Sequence, residues 1–379
     1  MAKSNVGLDI GASSLKAVEV VESKKKISII RAAELEIDRG IVSGGEVKDP
    51  DALTEAVEQL WLTAGFKKAP VTIGMGGFKV MARQFDLPWE EEEKFRSALP
   101  LRLANEMPID LEDTMLDYHV IGNFKRQILS SNGTKTESLM QRSLIVAMEK
   151  MSIEPVADAL TDADVRLKKA DFSGFALIRA ADAVGGRKTR VPGLPSQEEE
   201  VVAEIAVDIG THITTLTIHE NGRVLFVRTI SGGGDAITRA LSENLQVSID
   251  SAELLKINNN LEFESDTWNS ITNLAPIDRQ RYDLSKEIIS VMGSYQIQEI
   301  RKSVEYFLQH TPNQTSISRV LLSGGSSVLD GFAERLASEL RAPVGRLAPI
   351  AAYGKGEGRR PNLDPRMAIA FGLALGTRG

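Results

Sequence analysis

Two stretches of this chain repeat one pattern at long range. Residues 6–21 read V-G-L-D-I-G-A-S-S-L-K-A-V-E-V-V, and residues 204–228 read E-I-A-V-D-I-G-T-H-I-T-T-L-T-I-H-E-N-G-R-V-L-F-V-R. Each is an apolar run ending in an acid, a tight turn of small residues, and a second strand. The second copy turns again at Asn221-Gly222, the strongest short hairpin signal a sequence carries. The acids Asp9 and Asp208 stand 199 residues apart (208 minus 9). One supersecondary unit used twice at that distance predicts two domains of like fold facing each other. At 379 residues the chain is also too long for one ordinary core, so two or more subdomains are expected.

The turns carry the chemistry of an anion cradle. Gly11 lets the backbone approach an anion closely, the hydroxyls of Ser13 and Ser14 donate to it, and Lys16 supplies a point charge. Asp9 would repel a phosphate, so its natural task is to hold the water shell of a Mg²⁺ that neutralises one. A lone D-x-G at a strand end is only a turn; its echo at Asp208, Gly210 and Thr211 makes the pair a candidate two-sided site. Two more glycine turns follow. Ser231-Gly232-Gly233-Gly234-Asp235 opens a predicted helix over 236–244, and a glycine run at a helix N-terminus is an anion-binding arrangement. Ser323-Gly324-Gly325-Ser326-Ser327 joins a predicted strand over 318–322 to a helix over 330–340.

Between the copies the order is strands over the first 37 residues, a helix over 51–64 behind Asp49-Pro50, and a buried strand over 71–75 ending in Gly76-Gly77. From 79 the texture changes: a strand over 80–87, an acidic helix start at 90–93, strands over 115–121 and 143–148, a polar hairpin loop over 122–140, and a helix over 151–163. This block reads as an inserted α/β subdomain. A helix is expected over 171–183, a Gly/Pro/charge-rich linker over 184–200, and helices over 249–260 and 283–309 with a polar loop over 261–282. After a flexible 353–360, a small-residue helix is expected over 364–375.

A net charge of −7 with no basic stripe argues against a nucleic-acid partner. The absence of cysteine excludes disulfides and thiolate metal sites and fits a reducing compartment. The N-terminus enters a strand without an apolar signal region, and no run reaches the roughly 20 apolar residues of a membrane helix. A cytoplasmic location is expected, with no direct membrane insertion.

Taken together, the turns resemble those of the actin, Hsp70 and sugar-kinase superfamily, whose two like domains close on ATP. Residues 9–16 are similar to its first phosphate loop, 208–211 to the second, 321–331 (L-L-S-G-G-S-S-V-L-D-G) to its adenosine loop, and 171–183 and 367–375 (M-A-I-A-F-G-L-A-L) to its two connecting helices. Within that superfamily, A-N-E-M-P-I-D-L-E-D-T-M-L-D-Y-H-V-I-G at 104–122 resembles the type IV pilus assembly PilM family, an FtsA-like branch. The resemblance implies an α/β actin-like ATPase fold of two RNase H-like domains: 1A over 1–78 and 167–200, an FtsA-type inserted 1C over 79–166, 2A over 201–246 and 316–379, and a small 2B lobe over 247–315.

It further implies that Gly11, Ser13, Ser14 and Lys16 hold the β and γ phosphates of ATP, that Asp9 and Asp208 order the waters of Mg²⁺, and that Gly210, Thr211, Gly232 and Gly233 close the pocket from the other domain. Gly324, Gly325 and Ser326 would lie under adenine and ribose. Glu299 and Lys302 match positions that contact ribose and base in relatives, although an ordinary solvated i,i+3 pair reads the same. The implied partner is the N-terminal cytoplasmic tail of a PilN-like inner-membrane protein, held in a groove between 1A and 1C. Self-association is a further expectation, and so is a place at the inner membrane through that partner, because the chain stops at Gly379 without the amphipathic anchor of FtsA. A sugar kinase of the same superfamily and a filament-forming actin relative are the alternatives. ATP binding is better supported than turnover. His212 in the second turn stands near the phosphates as a candidate base, or as a turn histidine facing solvent.

Overall fold

The structure, a computed structural model, describes residues 3–23, 26–66, 69–104, 106–107, 113–129, 135–185, 201–258, 279–311, 315–349 and 364–376. The expected segment 353–360, and nearly all of the linker 184–200 and the loop 261–282, lie outside these residues.

The first sequence copy folds as strands β1 (Lys3–Ile10), β2 (Ser14–Ser23) and β3 (Lys26–Glu36). A two-stranded hairpin, β4 (Val42–Ser43) and β5 (Glu46–Val47), precedes helix α1 (Pro50–Ala64). That helix starts where the sequence places it: the Asp49 carboxylate accepts from the Ala52 N–H at 3.0 Å, Pro50 fills the first turn, and Gly65 closes the end at φ 65°. Its Leu53, Val57 and Leu60 pack under Val6, Leu8 and Leu15 of the sheet. β6 (Val71–Met75) follows and pairs parallel with β1.

The chain then leaves this sheet to build a three-stranded one from β7 (Val80–Pro88), β8 (Thr114–Leu129) and β9 (Lys135–Glu149), in the order β7-β9-β8, with α2 (Glu92–Leu103) packed through Phe95, Leu99 and Leu103. The polar loop expected over 122–140 is mostly strand: β8 and β9 pair from Thr114↔Glu149 to Leu129↔Lys135, with one register shift between Val120 and Gly122. α3 (Glu154–Asp162) sets Val156, Ala159 and Leu160 into the same cluster as α1, and β10 (Leu167–Phe172) returns to pair parallel with β6. The following helix, α4 (Ser173–Gly185), begins two residues later than expected, because Asp171 and Phe172 still belong to β10.

The second copy repeats the plan with β11 (Val201–Ile209), β12 (Ile213–Glu220) and β13 (Arg223–Ser231), then α5 (Gly234–Leu245) and α6 (Ile249–Ile257). Asn221 and Gly222 sit at φ 50° and 81°, the two positive values a type I′ hairpin needs. A 32-residue helix, α7 (Arg279–His310), leads to β14 (Thr315–Ser323), α8 (Phe332–Leu340), β15 (Val344–Arg346) and α9 (Ala368–Leu375). The five-stranded orders β3-β2-β1-β6-β10 and β13-β12-β11-β14-β15 have the same sense: antiparallel outward on one side, parallel on the other.

Helices α4 and α9 join the two lobes. All eight residues of α9 are buried, and its backbone approaches its neighbours closely: a Cβ on Gly372 would fall 1.9 Å from the Ala176 carbonyl oxygen of α4, and one on Gly7 of β1 would fall 2.1 Å from that of Ala370. Val18, Val20, Leu177, Ala206, Leu321 and Phe371 share one cluster here, so both sheets rest on the helix pair.

Candidate functional site

The two acid turns are the same object twice. Asp9 ends β1 opposite Lys16 of β2, and the Gly11 N–H donates to the Ser14 carbonyl at 3.1 Å; Asp208 ends β11 opposite Thr215 of β12, and the Gly210 N–H donates to the Ile213 carbonyl at 2.9 Å. They meet across the gap between lobes, where the Thr211 hydroxyl donates to that of Ser13 at 3.0 Å.

Burial governs both carboxylates. Burial pushes the Asp9 carboxyl up to about 6, Lys16 opposes this, and the charges of Asp208 and Glu34 add to it. Burial likewise raises Asp208, against a 2.6 Å hydrogen bond from Ser323 and the charge of Lys16. Lys16 is 9% exposed, donates to Ser14 at 2.7 Å and lies 3.8 Å from Glu34, which also accepts from Ser14 at 2.9 Å. Two half-buried acids held above their usual range, with one lysine between them, make a place where added positive charge is favourable. Among the described residues no third acid or histidine completes a cage of protein ligands, so a hard cation here would keep much of its water, which suits Mg²⁺.

The glycine turns converge on the second acid turn. A Cβ on Gly324, whose φ is 84°, would meet the Ile209 carbonyl oxygen at 2.4 Å, and one on Gly233 would meet that of Gly210 at 2.3 Å. One on Gly234 would meet Ser326 Oγ at 2.6 Å. Gly210, Thr211, Gly232, Gly233, Gly324, Gly325 and Ser326 are thus gathered around one strand end. The amides at the start of α5, however, are engaged: Gly232, Gly234 and Asp235 donate to the carbonyls of His212, Gly210 and Thr211 at 3.1, 2.9 and 2.9 Å. The glycines serve here to seat α5 against the second turn, and the expected free anion donors of a helix N-terminus are reduced accordingly.

Glu299 and Lys302 pair with each other at 2.7 Å on an exposed face of α7, with no described contact to the glycine turns. Other side chains, missed in the sequence, reach those turns. Gln296, one turn earlier, donates to the Gly233 carbonyl at 2.8 Å. Lys256 of α6 is buried and donates to the Gly234 carbonyl (3.2 Å), Thr238 (2.8 Å) and Glu253 (2.7 Å). Burial lowers the Lys256 ammonium while Glu253 supports its charge. Its signal, an acid and a cation three apart on a helix, is the same as that of any surface pair.

His212 corrects the solvent-facing reading. Its Nδ1 accepts from the Gly44 N–H of the first lobe at 3.2 Å, and its Nε2 lies 3.8 Å from Asp235 Oδ2. Arg39, also of the first lobe, donates to Asp235 Oδ1 at 2.7 Å. Burial raises the Asp235 carboxyl, but hydrogen bonds from Arg239 and Arg39 outweigh it and hold the group below the usual range. Arg39 had no motif around it to draw attention.

A cavity of about 650 Å³ lies apart from these turns, between the free edge of β7, α2 and the end of α7, with Arg83, Arg142, Tyr306 and His310 among its walls.

Two like sheets on crossing helices, with twin acid turns facing each other, define an actin-like ATPase fold. The family model described as type IV pilus assembly protein PilM matches residues 7–274, and the chain belongs to that family. A model of cell division protein FtsA matches residues 205–372. The chain is 24% identical to the cell division protein FtsA of Neisseria meningitidis serogroup B, over 97% of this chain and 88% of that protein. Among solved structures it resembles a PilM-PilN type IV pilus biogenesis complex, with 23% identity, a TM-score of 0.75, and 98% of this chain and 97% of that one covered. It also resembles MreB5 of Spiroplasma citri bound to ADP, with 10% identity, a TM-score of 0.50, and coverage of 98% and 95%. Among the described residues no helix is long and apolar enough to cross a membrane.

Proposed function

We propose that the chain binds Mg²⁺–ATP between its lobes and grips the N-terminal cytoplasmic tail of a PilN-like inner-membrane protein, with the nucleotide state modulating the grip. The observation that carries the nucleotide half is the pairing of the acid turns: the charge of Asp208 adds to the burial that raises Asp9, burial raises Asp208, Lys16 lies beside both, and Ser13 and Thr211 touch where both turns end. Asp9 and Asp208 would hold the metal through water. The bound ion would supply neutralisation of the phosphate charge. Lys16, Ser13, Ser14 and the turn at Gly11 would take the phosphates from one side, and Gly210, Thr211, Gly232 and Gly233 from the other. Gly324, Gly325 and Ser326 would lie under the nucleoside. For its polar contacts we place Glu253 and Lys256 ahead of Glu299 and Lys302, which would add little from their exposed pair, because Lys256 reaches the Gly234 carbonyl at 3.2 Å.

The fold-similar MreB5 is bound to ADP, which supports the nucleotide reading, and the PilM-PilN complex supports a PilN-like partner. We place the tail at the seam of 1A and 1C, with 1A, 1C, 2A and 2B bounded as expected from the sequence. Phe78 stands at that seam with 58% of its surface exposed and is our choice of anchor. The protein would then work in the cytoplasm, at the inner membrane through its partner.

Titration calorimetry of the purified chain with Mg²⁺–ATP tests the first half. Saturable binding that weakens at least about tenfold in Lys16→Ala is expected from the loss of one charge-assisted contact; absence of binding by the parent overturns it. A synthetic tail peptide tests the second. It should bind the parent and lose about tenfold or more with Phe78→Ala, the scale of an aromatic anchor, and a peptide that fails to bind the parent ends the partner reading.

A further inference from the structure

The hairpin at residues 42–47 touches both the second lobe and the turn that leads into the inserted sheet. Its tip donates the Gly44 N–H to His212 of the second lobe at 3.2 Å. Three residues before the hairpin, Arg39 holds Asp235 at 2.7 Å and reaches Glu253 at 3.5 Å, so the whole segment is tied to the second lobe at both ends of one short stretch. On its other side the tip lies against the turn that leads into the inserted sheet. The Phe78 N–H donates to the Gly44 carbonyl at 3.1 Å. A Cβ on Gly45 would fall 2.2 Å from the Gly76 carbonyl oxygen, and one on Gly77 would fall 2.3 Å from that of Gly44. Gly45 and Gly77 hold φ values of 88° and 118°, which other residues adopt only under strain.

From Gly77 the path into the inserted sheet is short. The Gly77 carbonyl accepts from Val80, the first residue of β7, at 3.3 Å, and Lys79 pairs with Glu149 at the end of β9 at 3.1 Å. Backbone packed on backbone has no side chain to give way, so hairpin tip and turn move as one body. At the cleft end, His212 follows Thr211 in the chain, and the 3.0 Å contact of Thr211 with Ser13 spans the place where a ligand between the acid turns would sit.

We infer that the segment from Arg39 to Val47 is a mechanical link which carries the separation of the acid turns to the root of the inserted three-stranded sheet. A ligand that parts Ser13 from Thr211 moves His212 and Asp235, and with them Gly44 and Arg39; the glycine stack passes that displacement to Gly76–Lys79. This rests on the nucleotide reading and deepens it by naming how occupancy would reach the seam at Phe78. Because coupling is reciprocal, whatever moves that seam changes nucleotide affinity by the same factor.

The chain has no cysteine, so Leu62→Cys on α1 and Leu101→Cys on α2, at sites 84% and 81% exposed, give one clean pair of spin labels across the seam. The distance between them is measured by double electron–electron resonance, with and without Mg²⁺ and a non-hydrolysable ATP analogue, and calorimetry on the same samples reports whether the analogue binds. A shift in the labelled parent, lost in the same protein carrying Arg39→Ala and His212→Ala while the analogue still binds, is the expected result. A shift that persists in that variant overturns the link, as does a parent that binds the analogue without any shift. A variant that no longer binds the analogue overturns it too, since those residues would then belong to the site itself. A parent that fails to bind at all by calorimetry removes the nucleotide reading first, and the inference with it.

Discussion

Asp9 is the residue on which most of the electrostatics turns. Its carboxyl sits at about 6 in the folded chain against a usual 3.8, chiefly through burial, so ionising it opposes folding. The sign is fixed by that direction: the penalty is absent below about 3.8, grows as pH rises, and is complete above about 6. Asp9→Asn should therefore raise the thermal midpoint of metal-free protein above that window and leave it nearly unchanged in acid. Circular dichroism melts in chelator across the range check this, and a variant less stable than the parent at neutral pH would contradict it. Mg²⁺ should stabilise the parent more than the variant. At the same scale, Lys302→Ala should leave Mg²⁺–ATP affinity within about twofold, as for an exposed ion pair worth under about 1 kcal/mol. The acid turns were legible in the sequence because the chemistry lies within eight consecutive residues. Arg39, His212 and Lys256 were not, because their meaning comes from contacts 196, 168 and 22 residues away.

Among the elements, α1 was readable end to end, since its cap, its first-turn proline and its closing glycine are all local signals. The long ribbon of β8 and β9 was not. Past Gly122, Asn123 faces Gln141, Arg126 faces Ser138 and Gln127 faces Glu137, polar on both sides, so a clean alternation of the kind that marks a half-buried strand is missing. Backbone pairing, the Lys125–Glu137 ion pair and the stacking of Arg126 and Arg142 on Phe124 carry it that far. The crossing of α4 and α9 makes the opposite case, where small residues announce close packing. Gly372→Ala would press a methyl group into the Ala176 carbonyl at 1.9 Å. A loss of about 1–3 kcal/mol, the cost of overpacking a filled core, is expected from the denaturant midpoint, and an unchanged midpoint would show that the two helices do not pack as tightly as described.

For the molecule as a whole, the repeat at Asp9 and Asp208 foretold two like sheets, and their matching strand orders answer to it. What no local pattern held was how the lobes lean together, because that depends on Ser13, Arg39 and Gly44 meeting Thr211, Asp235 and His212 far along the chain. The seating of α3 beside α1 is of the same kind: its apolar stripe says that it packs, and only the tertiary structure says against what. One feature of the architecture also bears on time. β1 has Gly7 pressed beneath Ala370 and Leu373 of the last helix, so the back of the first sheet is completed by residues made some 360 positions later. A ribosome producing this chain must hold that sheet with an open apolar face until the residues of α9 have been made, and contacts so distant in sequence are slow to form. Nascent chains stalled before residue 364 should accordingly remain protease-sensitive in their first lobe and recruit chaperones, whereas those released after 376 should not.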